Sequence, residues 1–224
     1  MELILALDTA TSSASVALWA PYRVLAEETW LSSSSHTVEL MPAISRQLER
    51  QKVKPADIKA LAVTQGPGSF TGVRIGVSLA KGLAVALGIP LVAVPTLEVL
   101  AYGQSTRFLP VRAVLRAGRG RLCWADFRWE RRRWHQQGEP ALGPAEEMVA
   151  DVRERTLFCG ELGEPEVQLI RGTLGAAAVI ASPAEGLRRA SYLAEMAHRR
   201  LAQGQADALT FSPIYLQSRS PAIG

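Results

Sequence analysis

Residues 2–31 read ELILALDTATSSASVALWAPYRVLAEETWL, and this stretch decides the fold class. Two apolar runs rich in strand-forming residues, 2–10 and 13–20, are separated by a cluster of Thr and Ser. A Pro-Tyr turn then leads into a third run, 23–31. The pattern predicts three consecutive strands joined by short turns.

The next seventy residues alternate helix and strand. From His36 the apolar residues follow helical spacing, and they are Val38, Met41, Ile44 and Leu48. Further predicted elements are a buried strand at 60–65, a long helix at 70–87 ended by Gly88, and a buried strand at 90–95. Three strands followed by helix, strand, helix and strand is the order of ribonuclease-H-like and actin-like lobes.

The second half of the chain begins the same order again. The predicted elements are strands at 111–118, 121–129 and 134–137, a helix at 144–154, a strand at 156–161, a long helix at 183–202 and an extended tail at 211–217. We therefore predict a duplicated, two-lobe α/β fold of the actin-like type, with mixed sheets flanked by helices. The expected lobes are 1–103, which carries the partner-binding helices, and 104–224, which is shorter and degenerate.

Composition excludes several classes of protein. The 224 residues are 48% hydrophobic and 21% charged, which is typical of a globular chain rather than a disordered one. The first residues lack the basic segment of a secretory signal, and no apolar stretch is expected to reach bilayer length. We expect a cytoplasmic protein without a membrane partner.

Metal binding is not expected. Cys123 and Cys159 are the only cysteines and lie in apolar runs, where a thiol is usually a small buried hydrophobe. The three histidines, His36, His135 and His198, are far apart and never four residues from one another. The pairs of ligands that a zinc site needs are therefore missing.

Two arginine clusters contribute to the net charge of +4. Arg128 and Arg131–Arg133 stand beside Trp129 and Trp134, a combination that can bind nucleic acid. Another four arginines, Arg188, Arg189, Arg199 and Arg200, flank one predicted helix. A solvated hairpin tip and a solvated helix face are the simpler interpretation, and we favour it.

The turn after the first strand has the chemistry of a phosphate loop. In nucleotide-binding actin-like proteins, hydroxyls and backbone N–H groups there meet phosphate, and an Asp helps to hold the metal. The residues that fit are Asp8, Thr9, Thr11, Ser12 and Ser13. A strand-end Asp followed by Thr and Ser is also a common turn builder, so both interpretations stay open.

The equivalent turn of the second half lacks that chemistry. Residues 115–119 read LRAGR and contain no carboxylate. Metal-assisted hydrolysis would therefore lack its second anchor, although arginines can hold phosphates electrostatically.

The most specific segment is GPGSFTGVRIG, residues 66–76. Gly66, Pro67 and Gly68 predict a sharp turn, after which Ser69 or Thr71 can cap the helix and N–H groups can attract an anion. The segment lacks the lysine of a P-loop and does not match the dinucleotide fingerprint. A tight strand-to-helix turn is the alternative interpretation.

The helix that follows is apolar around nearly its whole circumference. Small residues recur at every fourth position, namely Gly72, Gly76, Ala80, Ala84 and Gly88. Such a ridge allows helices to approach closely, and a helix that is apolar all round should be buried all round. We therefore predict that helices from two chains meet at Gly76 and Ala80.

Several segments together resemble the TsaB (YeaZ) family: DTATSSASVALW (8–19), SSHTVELMP (34–42), DIKALAVTQGPGSFTGVRIG (57–76), PLVAVPTLEVLA (90–101) and SPIYLQ (212–217). The resemblance implies an actin-like subunit without its own catalysis. It also implies a heterodimer with the related catalytic subunit TsaD and cooperation with the ATPase TsaE, in a complex that transfers threonylcarbamoyl to the adenosine beside the anticodon of tRNA.

The family's dimer interface lies on its two N-terminal helices. Carried over to this chain, the expected interface residues are His36, Val38, Met41, Ser45, Leu48, Gly72, Val73, Gly76, Val77, Ala80 and Ala84. A homodimer is expected when the chain is alone, and tRNA is expected to be contacted mainly through the complex. No intrinsic cofactor is expected; any binding of ATP or ADP should be weak and shared within the complex.

The chain departs from related TsaD-like proteins at the first helix. Those relatives bind metal with a histidine pair, whereas this chain has His36 with Leu40 one turn later. Arg116 and Arg121 also stand where the family tends to be acidic. The competing hypotheses are a stand-alone actin-like ATPase, a glycopeptidase-type metallohydrolase, and a stand-alone tRNA-binding protein that uses Arg128–Arg133.

Overall fold

The computed structural model of the chain describes residues 2–32 and 36–216, which form ten β-strands and six α-helices. The strands are β1 (Leu3–Asp8), β2 (Ser13–Ala20), β3 (Arg23–Leu31), β4 (Ile58–Thr64), β5 (Leu91–Val94), β6 (Val111–Arg116), β7 (Leu122–Glu130), β8 (Arg133–Gly143), β9 (Thr156–Gly160) and β10 (Ala178–Ile180). The helices are α1 (His36–Gln51), α2 (Phe70–Leu87), α3 (Thr96–Tyr102), α4 (Ala145–Ala150), α5 (Glu164–Leu174) and α6 (Ala190–Leu201).

Two five-stranded sheets share one topology. The first has the order β3-β2-β1-β4-β5, with β1, β2 and β3 antiparallel and β1, β4 and β5 parallel. The second has the order β8-β7-β6-β9-β10, with the same pattern of antiparallel and parallel pairs. The predicted duplication and the actin-like, mixed-sheet fold class are therefore confirmed.

The chain divides into two compact units whose boundaries differ from the predicted lobes. Unit 1 comprises Met1–Val99 and Arg188–Ile214, and unit 2 contains Leu100–Leu187. The predicted second lobe, 104–224, therefore includes residues 188–214, which belong to unit 1 because α6 packs on the first sheet. The side chain of Trp19 on β2 contacts His198 on α6, with 4.9 Å between ring centroids.

The core of unit 1 follows from strand alternation, because successive side chains point to opposite faces of a sheet. One face of the first sheet packs against α1 and α2 through a continuous apolar cluster. Leu5, Leu7, Leu61 and Val63 are fully buried members of that cluster. The other face of the same strands is buried as well, so alternation assigns each side chain to a layer but does not by itself select the face that is core.

The core of unit 2 is a separate apolar cluster. It joins β6, β7 and β9 to helices α4 and α5, and its buried members include Val114, Trp124, Phe158 and Ile170. Cys123 and Cys159 are buried and unbridged, as predicted. Burial raises the pKa of Cys123 to about 12, so its thiol stays protonated at neutral pH.

The elements predicted within residues 2–95 are all present, but the second half was predicted less well. The sequence patterns missed α3, α5 and β10, and the third strand extends from 133 to 143 rather than 134 to 137. The helix expected at 144–154 ends at Ala150, and the tail residues 211–216 form no regular element. Gln217, the end of the predicted tail, lies outside the described residues.

The predicted helix 183–202 begins only at Ala190. Its first N–H groups donate to side chains on strands β2 and β3. Ala190 N donates to Ser15 Oγ at 3.0 Å, and Ser191 N donates to Glu27 Oε1 at 2.8 Å. These side chains act as caps supplied by β2 and β3. Because the caps are about 160 residues or more away in sequence, no local signal marks this boundary.

Helix α2 turns its ridge of small residues toward its own sheet. A Cβ at Gly72 would lie 2.2 Å from Thr9 O, and one at Gly76 would lie 2.4 Å from Thr9 Oγ1. Ala80 and Ala84 are also buried within the unit. The prediction that two chains meet along this ridge is wrong. The ridge packs closely against the loop that follows strand β1 of the same chain, so no second helix can lie there.

The opposite side of α2 is exposed and mixes the apolar Phe70 and Val85 with the polar Thr71, Arg74 and Ser78. By length and composition the helix could cross a membrane, with a mean hydropathy of 1.4, so the expectation that no stretch reaches that length is wrong. A core helix of a globular unit passes the same test, and the buried face of α2 belongs to such a core.

Gly76→Ala and Gly82→Ala should change stability in opposite directions. We expect Gly76→Ala to lower the free energy of unfolding by about 1–3 kcal/mol, because its Cβ overpacks the contact with Thr9. Gly82 has no atom within 4 Å of a built Cβ, so Gly82→Ala should stabilise the same helix by about 0.5–1 kcal/mol. Denaturant unfolding measures both; equal changes of the same sign would contradict the assigned direction of the ridge.

Candidate functional site

The predicted phosphate loop joins β1 to β2, and its groups are occupied by internal hydrogen bonds. Asp8 Oδ1 accepts from Ala10 N at 2.8 Å and from Thr64 Oγ1 at 3.0 Å. Thr9 Oγ1 donates to Gly72 O at 2.7 Å. Asp8, Thr9 and Thr11 are all buried, whereas Ser12 is exposed and Ser13 is half-buried.

A buried arginine completes this loop. Arg188, which precedes α6, is only 2% exposed, and its Nε donates to Asp8 Oδ2 at 2.9 Å. Its Nη2 donates to Thr11 Oγ1 at 2.5 Å and to Ser13 O at 3.0 Å. The guanidinium therefore meets the carboxylate, the hydroxyl and the backbone carbonyl at the same turn.

The loop residues do not fit a magnesium–phosphate group. Metal binding would need the Asp8 carboxylate, but Arg188 already neutralises it from inside the unit. The Thr11 hydroxyl, expected to meet phosphate, accepts from the same guanidinium and from Ser13 N at 3.2 Å. The turn-building interpretation of Asp8, Thr9, Thr11, Ser12 and Ser13 is the one that the geometry supports.

Arg188 was the residue that sequence reasoning missed, because it was assigned to a solvated helix face with Arg189, Arg199 and Arg200. Only Arg199 fits that description fully, pairing with Glu195 one turn away. Arg189 binds Glu27 through Nε at 2.8 Å, and Arg200 binds Glu98 at 2.8 Å. An arginine beside a helix start carries no signal for a partner 180 residues away.

The Gly66–Gly76 segment docks the start of α2 onto the phosphate loop. Ser69 is the N-cap and accepts from Gly72 N at 3.3 Å, while Thr71 is exposed and not the cap. Ser69 N donates to Ala10 O at 2.6 Å, and a Cβ at Gly68 would lie 2.2 Å from that same oxygen. The segment thus forms a tight strand-to-helix turn, which was the alternative interpretation.

The C-terminal tail holds the other side of that turn. Ile214 N donates to Gln65 O at 2.7 Å, and a Cβ at Gly66, where φ is +98°, would lie 2.4 Å from Ile214 O. Lys81 Nζ donates to Phe211 O at 2.6 Å. Glycine at 66 is needed both for the backbone angle and for this close approach.

The corresponding turn in unit 2 does contain carboxylates nearby, contrary to the prediction from residues 115–119. Arg116 N donates to Glu161 Oε2 at 2.9 Å, and Arg116 Nη2 donates to Glu166 Oε2 at 3.0 Å. Glu166 also accepts from Gly163 N at 2.7 Å. These carboxylates come from the residues after β9 and from α5, so the loop sequence alone does not reveal them.

No metal cluster emerges where the structure describes the chain: in residues 2–32 and 36–216, no group of three or more His, Cys, Asp or Glu side chains could hold an ion. His36 is 6% exposed, and its Nδ1 has no hydrogen-bond partner among the described residues. Leu40, one turn later, is buried in the apolar core.

The outer faces of α1 and α2 form a partly apolar surface of unit 1. Val38, Phe70 and Val85 are 69%, 54% and 68% exposed. A groove of about 480 Å³ runs between the two helices and is lined by residues that include Leu40, Met41, Phe70, Arg74, Ile75 and Leu79. The Arg74 guanidinium lies 3.5 Å from the centroid of the Phe70 ring.

Only part of the predicted interface lies on this surface. Val38, Met41 and Ser45 are exposed, whereas Leu48 is half-buried and packs against the core. The six residues predicted on α2 are buried within the unit: Gly72, Val73, Gly76, Val77, Ala80 and Ala84. Those six assignments are corrected, because a side that packs on its own sheet cannot also meet another chain. His36 is buried but lines the groove, so its assignment stays a prediction.

Comparison with known proteins identifies relatives of the whole chain. A family model described as TsaD, tRNA N6-adenosine threonylcarbamoyltransferase, matches residues 30–168. The tRNA threonylcarbamoyladenosine biosynthesis protein TsaB of Escherichia coli K12 is 40% identical over 148 residues, which is 63% of this chain and 62% of that protein. TsaB of Bacillus subtilis 168 is 32% identical over 217 residues, which is 96% of this chain and 93% of that protein.

Solved structures support the same relationship. YeaZ from Pseudomonas aeruginosa is 27% identical, with a TM-score of 0.81 over 96% of this chain and 100% of that chain. Component A of (R)-2-hydroxyglutaryl-CoA dehydratase from Acidaminococcus fermentans is 12% identical, with a TM-score of 0.53, and shares the fold alone. With a TsaB relative matched along nearly its full length and the YeaZ fold in both units, the chain belongs to the TsaB (YeaZ) family.

Proposed function

We propose that this chain is a non-catalytic partner subunit of the machinery that places threonylcarbamoyl on the adenosine beside the anticodon of tRNA. The chain belongs to the TsaB family, and its TsaB relatives are described as tRNA threonylcarbamoyladenosine biosynthesis proteins. This membership supports a role in that tRNA modification. The single observation that carries the non-catalytic role is the burial of Arg188 on Asp8. We propose a cytoplasmic location, as for the tRNA substrate.

The Arg188 contact argues against a stand-alone ATPase. A catalytic carboxylate must be available to the metal of a metal–nucleotide complex, whereas Asp8 is 1% exposed and paired with a cation of its own chain. Displacing that cation would leave a buried charge uncompensated, which is strongly unfavourable. We propose that the chain needs no cofactor of its own and that nucleotide is handled by its partners.

The partner that we propose is the TsaD homologue of the same organism, with TsaE supplying ATPase activity. The match of residues 30–168 to the TsaD model supports kinship between the two subunits. A TsaD-type transferase from Anaeromyxobacter dehalogenans is also 46% identical over 68 residues, or 30% of this chain and 20% of that protein. Subunits of related fold often pair through equivalent surfaces, and the apolar α1–α2 groove is the surface that unit 1 offers.

Reconstitution tests the proposal directly. The chain, the TsaD homologue, the TsaE homologue and unmodified tRNA should together form the modified nucleoside, and omission of the chain should abolish it. The isolated chain should hydrolyse neither ATP nor peptide substrates. ATP turnover above about one per second by the isolated chain would instead support the actin-like ATPase.

Arg188→Leu should destabilise unit 1 without creating an enzyme. Removing one member of a buried pair costs about 3–5 kcal/mol, so we expect a loss of unfolding free energy of that order. Arg188→Lys keeps the charge but loses the forked contact and should lie between wild type and Arg188→Leu. Denaturant unfolding measures stability, and titration calorimetry with about 1 mM Mg-ATP measures binding, which should be undetectable in every variant.

Arg199→Leu is the matched control, because this arginine is 55% exposed and its pair with Glu195, 39% exposed, should contribute about 0–1 kcal/mol. Adding Asp8→Asn to Arg188→Leu should recover part of the lost stability, since the uncompensated carboxylate is then absent. Equal stability of the Arg188 and Arg199 variants, or stoichiometric Mg-ATP binding by the wild type, would contradict the argument.

Met41→Asp and Phe70→Asp should each weaken pairing with the TsaD homologue at least tenfold while leaving the fold intact. Both side chains are partly exposed and line the α1–α2 groove, so a carboxylate there would be desolvated by an apolar partner. The measurements are affinity by calorimetry and thermal melting of each variant. Tyr22→Asp, a fully exposed change in the β2–β3 turn, is the control and should pair normally. Normal pairing by both groove variants would move the interface elsewhere.

A further inference from the structure

The turn between β7 and β8 holds arginine in an unfavourable backbone conformation. Arg131 and Arg132 connect the two strands, with φ angles of +49° and +65°. Two-residue hairpin turns of this kind favour Asn and Gly, because a side chain in the left-handed region is strained. The chain nevertheless has two consecutive long cations there, which indicates that the side chains rather than the turn geometry matter.

Cations outnumber carboxylates at this turn, where Arg131, Arg132 and Arg133 stand against Glu130, which lies opposite Arg133 in the β7–β8 ladder. Arg131, Arg132 and Arg133 are exposed, and in the described residues none of them makes an ion pair with a carboxylate. Arg133 Nε instead donates to His135 Nε2 at 3.0 Å. Arg128, farther from the turn, is paired with Glu154 and is therefore neutralised.

Aromatic side chains accompany these arginines. The Arg107 guanidinium carbon lies 4.2 Å from the centroid of the Trp129 ring, and Trp129 meets Trp134 edge-on with centroids 5.5 Å apart. Phe108, which follows Arg107, is 85% exposed. The structure thus places an exposed aromatic ring next to an arginine that is held against the hairpin.

We propose that this surface, the arginine tip (Arg107, Phe108, Trp129 and Arg131–Arg133), binds the phosphate backbone of RNA. The inference deepens the proposed function, on which it rests: the RNA would be the tRNA presented to the modifying complex. Guanidinium groups form forked hydrogen bonds with phosphate oxygens, and exposed aromatic rings stack on bases. An acidic protein could also engage these charges and the exposed Phe108 ring, because arginine and aromatic residues are enriched at protein interfaces, so the test below separates it from RNA.

The test variant is Arg131→Gln with Arg132→Gln, which removes two charges without changing the length of the turn. The probe is a fluorescent transcript of a tRNA that the reconstituted complex modifies, and fluorescence anisotropy gives its affinity for the full chain, alone and with the TsaD homologue. We expect affinity to fall about tenfold or more near 0.1 M salt, and the slope of log affinity against log salt to become shallower by about 1.5.

Three further variants define the outcome. Arg155→Gln with Arg171→Gln removes two exposed charges elsewhere in unit 2 and should leave affinity and slope nearly unchanged. Arg131→Lys with Arg132→Lys should restore most of the binding, because the charge returns. Phe108→Ala should weaken binding at least fivefold without changing the salt slope, since stacking releases no counterions.

An equal loss in the Arg155 and Arg171 control, or no loss in the hairpin variant, would overturn the proposal. So would loss of pairing with the TsaD homologue at unchanged tRNA affinity, which would assign the tip to an acidic protein. Failure of the wild-type chain to pair with that homologue would contradict the proposed function instead, because tRNA affinity of the isolated chain is measured separately.

Discussion

The buried ion pair between Asp8 and Arg188 is the interaction on which the organisation of unit 1 depends. It joins the end of β1 to the start of α6, and the other Asp8 oxygen accepts from Thr64 on β4. A carboxylate and a guanidinium tolerate burial only when nearly all their hydrogen-bonding groups are satisfied, and here the loop supplies the partners. The same contacts that satisfy the pair occupy the groups that phosphate binding would need, so the stability of unit 1 and the proposed non-catalytic role rest on one interaction.

Close packing beside this pair explains the most conspicuous segment of the chain. Glycines at 68, 72 and 76 let the start of α2 rest on the backbone and side chains of the β1–β2 loop, where any Cβ would clash. Val73 and Val77 are buried beside these glycines, and Ile75 and Leu79 are half-buried where α2 faces α1. The helix therefore joins its own sheet on one side and leaves a partly apolar groove on the other, a surface of the kind that suits another subunit.

The two units repeat one topology but carry different surfaces. Unit 1 combines a closed loop with an apolar groove, which suits protein association rather than chemistry. Unit 2 carries exposed arginine and aromatic side chains on a hairpin turn, which suits a polyanion. Under the proposed function, the chain contributes binding surfaces to an assembly in which its partners provide the reaction.

Local patterns in the sequence determined the strand and helix order of residues 2–95, the duplication and the family, because alternation, helical spacing and turn residues act over a few neighbours. They also marked Asp8, the Gly66–Gly76 segment and the arginine hairpin as unusual. Only the tertiary structure decided what these residues do. Arg188 reaches Asp8 across 180 positions, α6 is capped by β2 and β3, and the direction of the α2 ridge depends on which side meets the sheet. Such long-range pairings leave no periodic trace, because each is a single contact between segments whose own patterns are compatible with either arrangement.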